Sequence, residues 1–172
     1  MTIPPDTKDW TWVLERPCPQ CGLEAGSVAL ADVPQALRDN AAAWVDVLAA
    51  DHARQRPEAT VWSPLEYACH VRDVHRVFLP RYQQMLADDD PQFASWDQDV
   101  AAVEGDYESQ LPPSVADELT GAADEVASLL AGVSQEQAER PGRRSNGSRF
   151  TVTSLARYHL HDVVHHLWDV RP

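Results

Sequence analysis

Histidines carry most of the chemistry this sequence can do. His161 and His165 stand one helical turn apart in HDVVHH, a spacing that projects two imidazoles from one helix face, close enough to share a metal ion. His70, distant in the chain in WSPLEYACHV, supplies a third ligand if its helix faces theirs. Three protein ligands leave a coordination position open for water or substrate, the mark of a catalytic metal. A neutral three-imidazole set also leaves a divalent ion its full charge, suited to lowering the pKa of a bound water or thiol. One inward histidine is ordinarily a core residue satisfied by a hydrogen bond. Three that project from apolar helix faces are better satisfied together by one ion, since each unpaired buried polar group costs about 1–3 kcal/mol.

Three neighbours of these histidines are candidates for moving protons. Asp162 follows His161 directly, Glu66 lies one turn before His70, and Tyr67 shares the His70 face. Glu66 has a competing role, because Ser63-x-x-Glu66 is a capping box for a helix that begins at Pro64. The string His161-Asp-x-x-His165 invites comparison with the His-Glu-x-x-His helix of zinc peptidases. Aspartate is one methylene shorter than the glutamate used there, and no third ligand follows downstream. Arg143, Arg144 and Arg149 form a basic loop before the histidine helix, which either receives an anionic substrate or is a solvated loop on an acidic protein.

Cys18-Pro-Gln-Cys21-Gly resembles one knuckle of a zinc ribbon, without a second Cys-x-x-Cys to complete it. Three readings stand side by side. The turn is a zinc knuckle completed by a histidine such as His52, His159 or His166, or a redox-sensitive dithiol, or a structural turn with two inert thiols. Cys69 is rotated off the His70 face by about 100° and reads as packing.

The elements that must position these groups are helical. Asp32-Val-Pro-Gln35 predicts a helix running to about residue 53, and Ser63-Pro64 starts a second that Pro80 should kink or interrupt. Residues 88–112 are an acidic connection with a short helix around Trp96–Val103. A third long helix starts near Ser114 and stops near Gly132, Ser134 caps a short turn, and a fourth long helix runs from Thr151 or Thr153 to about Asp169. ERPGRRSNGSR reads as a loop, and no strand pattern is convincing, although Phe150-Thr-Val152 can be briefly extended. The expected architecture is all-α: an irregular N-terminal arm over residues 1–31, then a four-helix bundle over 32–172.

The chain has 172 residues and a hydrophobic fraction of 44% with six tryptophans, enough for one packed domain. Its formal net charge of −13 disfavours nucleic acid and anionic membranes as partners. The start MTIPPDTKDW has no basic, then apolar, leader pattern, and no apolar run is long enough to span a bilayer. The expectation is a cytoplasmic, bacterial protein with reduced cysteines.

The combination of WSPLEYACH, an acidic middle connection and a terminal LARYHLHDVVHHLWDV resembles the DinB-like superfamily of four-helix metalloproteins, which includes the mycothiol-dependent maleylpyruvate isomerases. The resemblance covers about residues 32–170. It implies a divalent metal, commonly zinc or nickel, held by a second-helix histidine and two last-helix positions one turn apart, here His70, His161 and His165. Iron is a further alternative, since imidazole suits several metals. The isomerases resembled carry a glutamate at the first last-helix position, where this chain has His161, and an additional C-terminal domain. The resemblance implies a metal-dependent enzyme acting on a small molecule: a thiol-dependent transferase or isomerase using a low-molecular-weight thiol, or a hydrolase using water. The alternative is a non-catalytic metal-binding or stress-response module of the same fold. A homodimer fits either reading.

Overall fold

The computed structural model describes residues 9–171. Residues 1–8, on which the reading of the leader rests, and residue 172 lie outside the described residues. Six α-helices make up most of the fold: α1 Val33–Ala49, α2 Pro64–Ala87, α3 Gln98–Glu104, α4 Pro112–Ala131, α5 Gln135–Ala138 and α6 Val152–Asp169. The four long ones form the bundle. α1 and α2 each pack chiefly on α4 and α6, which puts α1 across one diagonal from α2 and α4 across the other from α6. Among the described residues no helix is long and apolar enough to cross a membrane.

Local signals account for most helix boundaries. Ser63 and Glu66 form the capping box at the start of α2, with Glu66 N–H donating to Ser63 Oγ at 3.3 Å and Ser63 N–H to Glu66 Oε2 at 2.8 Å. Ser134 and Gln137 form a second at α5, and Thr151 with Ser154 a third at α6. Asp32 makes no side-chain cap bond, because the chain enters α1 from a 3-10 turn over Leu30–Asp32 and already has helical backbone there. α1 ends at Ala49, short of residue 53. Pro80 does not end α2, which continues to Ala87. Proline removes one donor, but Phe78, Tyr82 and Met85 carry the buried stripe past it, and tertiary packing outweighs the local cost of about 3 kcal/mol.

The loop before α6 is a departure from the all-helical expectation. Pro141–Arg144 and Arg149–Thr151 pair as an antiparallel hairpin, and Gln92–Phe93 joins the first strand in parallel register, Gln92 opposite Arg143. Strands of two to four residues are too short to show a period of two. The pairing also requires a glycine: a Cβ on Gly142 would lie 2.6 Å from Phe93 Cζ and 2.8 Å from Met85 Cγ. The hairpin turn uses Asn146-Gly147, with Gly147 at φ +91°.

The core runs through all four long helices and includes Trp44, Leu65, Leu119, Leu155 and Leu160. It also encloses polar groups that the helical pattern alone did not place there. Tyr82 Oη lies 3.1 Å from His159 Nδ1, and His159 Nε2 lies 3.1 Å from His75 Nδ1. Both histidines are fully buried, and His75 Nε2 has no hydrogen-bond partner. Burial holds both imidazoles neutral, pushing His75 down to about 4 and His159 well below the usual histidine range.

A histidine whose folded pKa is depressed contributes stability that is present above its unfolded pKa and lost as pH falls through the folded one. Metal-free protein should therefore lose roughly 2 kcal/mol of unfolding free energy from His75 alone between pH 7 and pH 5. Urea titrations at the two pH values check this against His75→Gln, which keeps a partner for His159 and should have a shallower pH dependence. Equal slopes for the two proteins would contradict the assignment.

Candidate metal centres

The last long helix presents its polar residues in interleaved pairs. At 100° per residue, His161 and His165 form one stripe, Asp162 and His166 a second about 100° further round, and Asp169 falls between them. Both stripes meet neighbouring elements, because α6 packs against α1 and α2 on one side and against the 3-10 turns of the N-terminal arm on another. Two groups of possible metal ligands result, Cys18, Cys21, His161 and His165 in one and His70, Asp162 and His166 in the other. In each group one ligand atom per residue lies within 4.8 Å of all the others.

The second group joins α2 to α6. His70 Nε2 lies 3.8 Å from Asp162 Oδ1, and His166 Nε2 lies 3.2 Å from the same oxygen. Asp162 Oδ1 is buried, yet neither contact is aligned as a hydrogen bond. An acceptor approached by two imidazole nitrogens in this way fits a cation between them better than it fits a hydrogen-bonded triad. On its far side His166 Nδ1 lies 3.0 Å from Asp169 Oδ2, the carboxylate–imidazole arrangement that orients ligating histidines. His70 sits between Trp62 and Trp96, with ring centroids 5.3 and 5.4 Å away.

The charges agree with this arrangement. Burial works to raise the Asp162 carboxyl, but His166 and His70 outweigh it and hold the group well below the usual carboxylate range. Burial likewise works to lower His166, and Asp162 and Asp169 overcome it, pushing that imidazole up to about 9. His70, almost wholly enclosed, is lowered by burial first. Without an ion, the proton on His166 balances Asp162; a divalent cation supplies the same compensation.

This group opens on a cleft of about 380 Å³. Asp162 and His166 have 25% and 22% of their side chains exposed to it. Aromatic rings of Trp10, Trp62, Tyr67 and Tyr158 line its walls, and Arg144 is on its rim. Arg144 Nη1 lies 3.4 Å from Tyr158 Oη. The other two arginines of the basic loop turn away: Arg143 and Arg149 both approach Asp90, at 3.7 and 3.6 Å.

The four-residue group is mostly buried, with Cys21 half-buried, and its two histidines also border the cleft. Cys18 is 1% exposed and His161 3%. His161 and His165 thus stand with Cys18 and Cys21 rather than with His70, and the histidines expected to complete the cysteine turn lie elsewhere. His52 is exposed in the turn after α1, His159 is in the core with His75 and Tyr82, and His166 is beside His70. Glu66, expected near the site, is buried and bound to Arg56, which donates to Oε2 from Nε at 2.9 Å and to Oε1 from Nη2. Burial works to raise Glu66, but Arg56 and Ser63 outweigh it, so the carboxyl is held below its usual range and does not line the cleft. Tyr67 does line it, its ring centroid 5.4 Å from that of His166. Asp169, Trp62 and Trp96 were missed from the sequence. The recurrence of acid and histidine at 162, 166 and 169 was a readable signal for Asp169; Trp62 opens the WSPLEYACH string, and nothing local marks Trp96.

A four-helix bundle that gathers possible metal ligands from its second and last long helices is the class of protein that fold and site define. The chain belongs to the DinB superfamily, whose family profile matches residues 35–170. No curated protein sequence matches it. Among solved structures it is similar to YfiT from Bacillus subtilis, described as a probable metal-dependent hydrolase with an unusual four-helix bundle topology. That similarity has a TM-score of 0.71 at 16% identity, covers 84% of this chain and 88% of YfiT, and establishes the shared fold.

Asp169 contacts a ligand of each group, since its Oδ1 also lies 3.8 Å from His165 Nε2. Asp169→Asn should therefore weaken divalent-metal binding by roughly 10–100-fold, measured by competition with a chromophoric chelator. Wild-type affinity in that variant would show that the carboxylate orients neither imidazole.

Proposed function

We propose that this protein is a metal-dependent enzyme acting on a small molecule, with His70, Asp162 and His166 holding a divalent ion at the floor of the aromatic cleft. The observation that carries this reading is a three-donor group, one donor short of a closed tetrahedral set, two of whose members are partly exposed on the cleft. Three side chains converge from two helices, His70 buried behind and Asp162 and His166 on the wall of a cleft of a size suited to a small ligand. When bound, the ion, zinc first with nickel or iron as alternatives, supplies Lewis acidity that lowers the pKa of a water or thiol at its open position. Two imidazoles and a carboxylate also restore the acid-then-histidine order that the resembled isomerases carry on the last helix, one residue along from His161 and His165.

The chain's own residues do the rest. Asp169 accepts from His166 Nδ1–H and so keeps Nε2 directed at Asp162 and His70. Trp62 and Trp96 fix the plane of the His70 ring. The aromatic walls bind the apolar part of a substrate and exclude water from it, and Arg144 offers the positive charge for an anionic part. Of the three residues expected to move protons, Asp162 serves as a ligand and Glu66 is held by Arg56. Tyr67 is the one left on the cleft wall.

Water as nucleophile makes the protein a hydrolase, the reading favoured by the description of YfiT. A low-molecular-weight thiol makes it a transferase or isomerase, the reading favoured by the resemblance to mycothiol-dependent enzymes. Protein loaded with zinc, nickel or iron(II) should be assayed against small esters, amides and lactones, and against electrophiles with added thiols. Turnover should fall by roughly 100-fold or more in His166→Ala and Asp162→Asn. No turnover on either panel by fully metallated protein would leave the non-catalytic module in its place.

A further inference from the structure

The geometry points to a second metal site, structural rather than catalytic: Cys18, Cys21, His161 and His165 bind one zinc ion that ties the N-terminal arm to α6. Two thiolates and two imidazoles form a complete tetrahedral donor set for zinc, with no position left for substrate. The residues come from segments about 140 positions apart, yet their ligand atoms gather within 4.8 Å. Cys18 Sγ lies 3.6 Å from His165 Nδ1. Zinc–sulfur and zinc–nitrogen bonds of about 2.3 and 2.0–2.1 Å at the tetrahedral angle separate S and N by about 3.6 Å.

A thiol–imidazole hydrogen bond accounts for that one distance, but not for the other two residues. His161 Nε2 is buried with no hydrogen-bond partner in a side chain only 3% exposed, a position an ion satisfies and the protein otherwise does not. The cysteine turn is also preshaped. Gly22 takes φ +76°, a left-handed conformation that favours glycine, which lets Gly22 N–H donate to Cys18 O at 2.9 Å and Cys18 N–H to Leu23 O at 3.0 Å. Both cysteines are free thiols rather than a disulfide. Trp10 packs against both histidines, its ring 5.7 Å from His161 and 5.0 Å from His165.

The consequence reaches the cleft. Trp10 and Gln20, both in the arm, form part of the wall of the cleft on which Asp162 and His166 open. Among its described residues the arm carries only isolated 3-10 turns, so a closed metal site at its centre holds that wall in place. Loss of the ion should release the arm and open the cleft while leaving the bundle folded.

Protein reconstituted with cobalt(II) should show thiolate-to-metal charge transfer in the near ultraviolet and intense tetrahedral d–d bands in the visible. These should vanish in Cys21→Ser and persist in His70→Ala. Elemental analysis after zinc loading should give two ions per chain in the wild type, one for each ligand group, and one in each variant. Limited proteolysis should cut residues 10–30 faster in Cys21→Ser than in the wild type. The proposal is overturned by wild-type cobalt protein without thiolate bands, by zinc content unchanged in Cys21→Ser, or by a Cys18–Cys21 disulfide in freshly purified protein. Cobalt spectra of the wild type decide the matter even if a variant misfolds. Failure at the cysteine group leaves the His70 group untouched, since the two lose their ions in different variants.

Discussion

Buried imidazole nitrogen is the constraint on which the structure depends. Five of the histidines are buried, and a sixth, His166, is partly exposed on the cleft. A bundle interior has little water to satisfy such groups, so each needs a partner supplied by the fold. His75 and His159 find one another and Tyr82, and stay neutral. The remaining four meet carboxylate or thiol, in two groups whose donor sets suit a metal ion. Position along α6 sorts them. Residues 161 and 165 face the arm, 162 and 166 face α2, and Asp169 stands behind one member of each.

The two groups differ in the number of donors they offer an ion. The cysteine group has four possible protein donors and the His70 group three, and both have members on the wall of the cleft. An ion in the first has no vacant position for a substrate, whereas one in the second does. Their adjacency on a single helix gives each a mechanical bearing on the other, because the same rigid segment sets the direction of all four α6 side chains. The hairpin adds the outer rim. It places Arg144 by the cleft while Asp90 draws Arg143 and Arg149 aside, so one arginine of the loop, rather than all three, reaches the cleft.

Much of the fold was legible because its signals are local. Ser63, Ser134 and Thr151 open their helices through contacts within three residues, and such contacts are written in adjacent positions. Pro80 misled for the same reason: its local penalty is real, but Phe78, Tyr82 and Met85 bury α2 on both sides of it. The three-stranded sheet was hidden because pairing between Gln92 and Arg143 is a property of two distant segments. Its sequence traces were the Asn146-Gly147 turn and the brief extended piece at Phe150, while Gly142 acquires meaning only when Phe93 and Met85 are seen against it.

The sequence by itself singled out histidines and cysteines able to ligate a metal, with His161 and His165 on α6, since residue type and helical spacing are both one-dimensional. It also determined the four long helices, through periodicity and caps. Only the tertiary structure decided how the ligands are divided. Spacing on a helix gives the angle between two side chains, but not which neighbouring element lies along each direction. That Cys18 and Cys21 meet His161 and His165, while His70 meets Asp162 and His166, follows from where the arm and α2 pack against α6. Packing partners of this kind are set by the summed burial of the whole chain, which no short stretch of residues records.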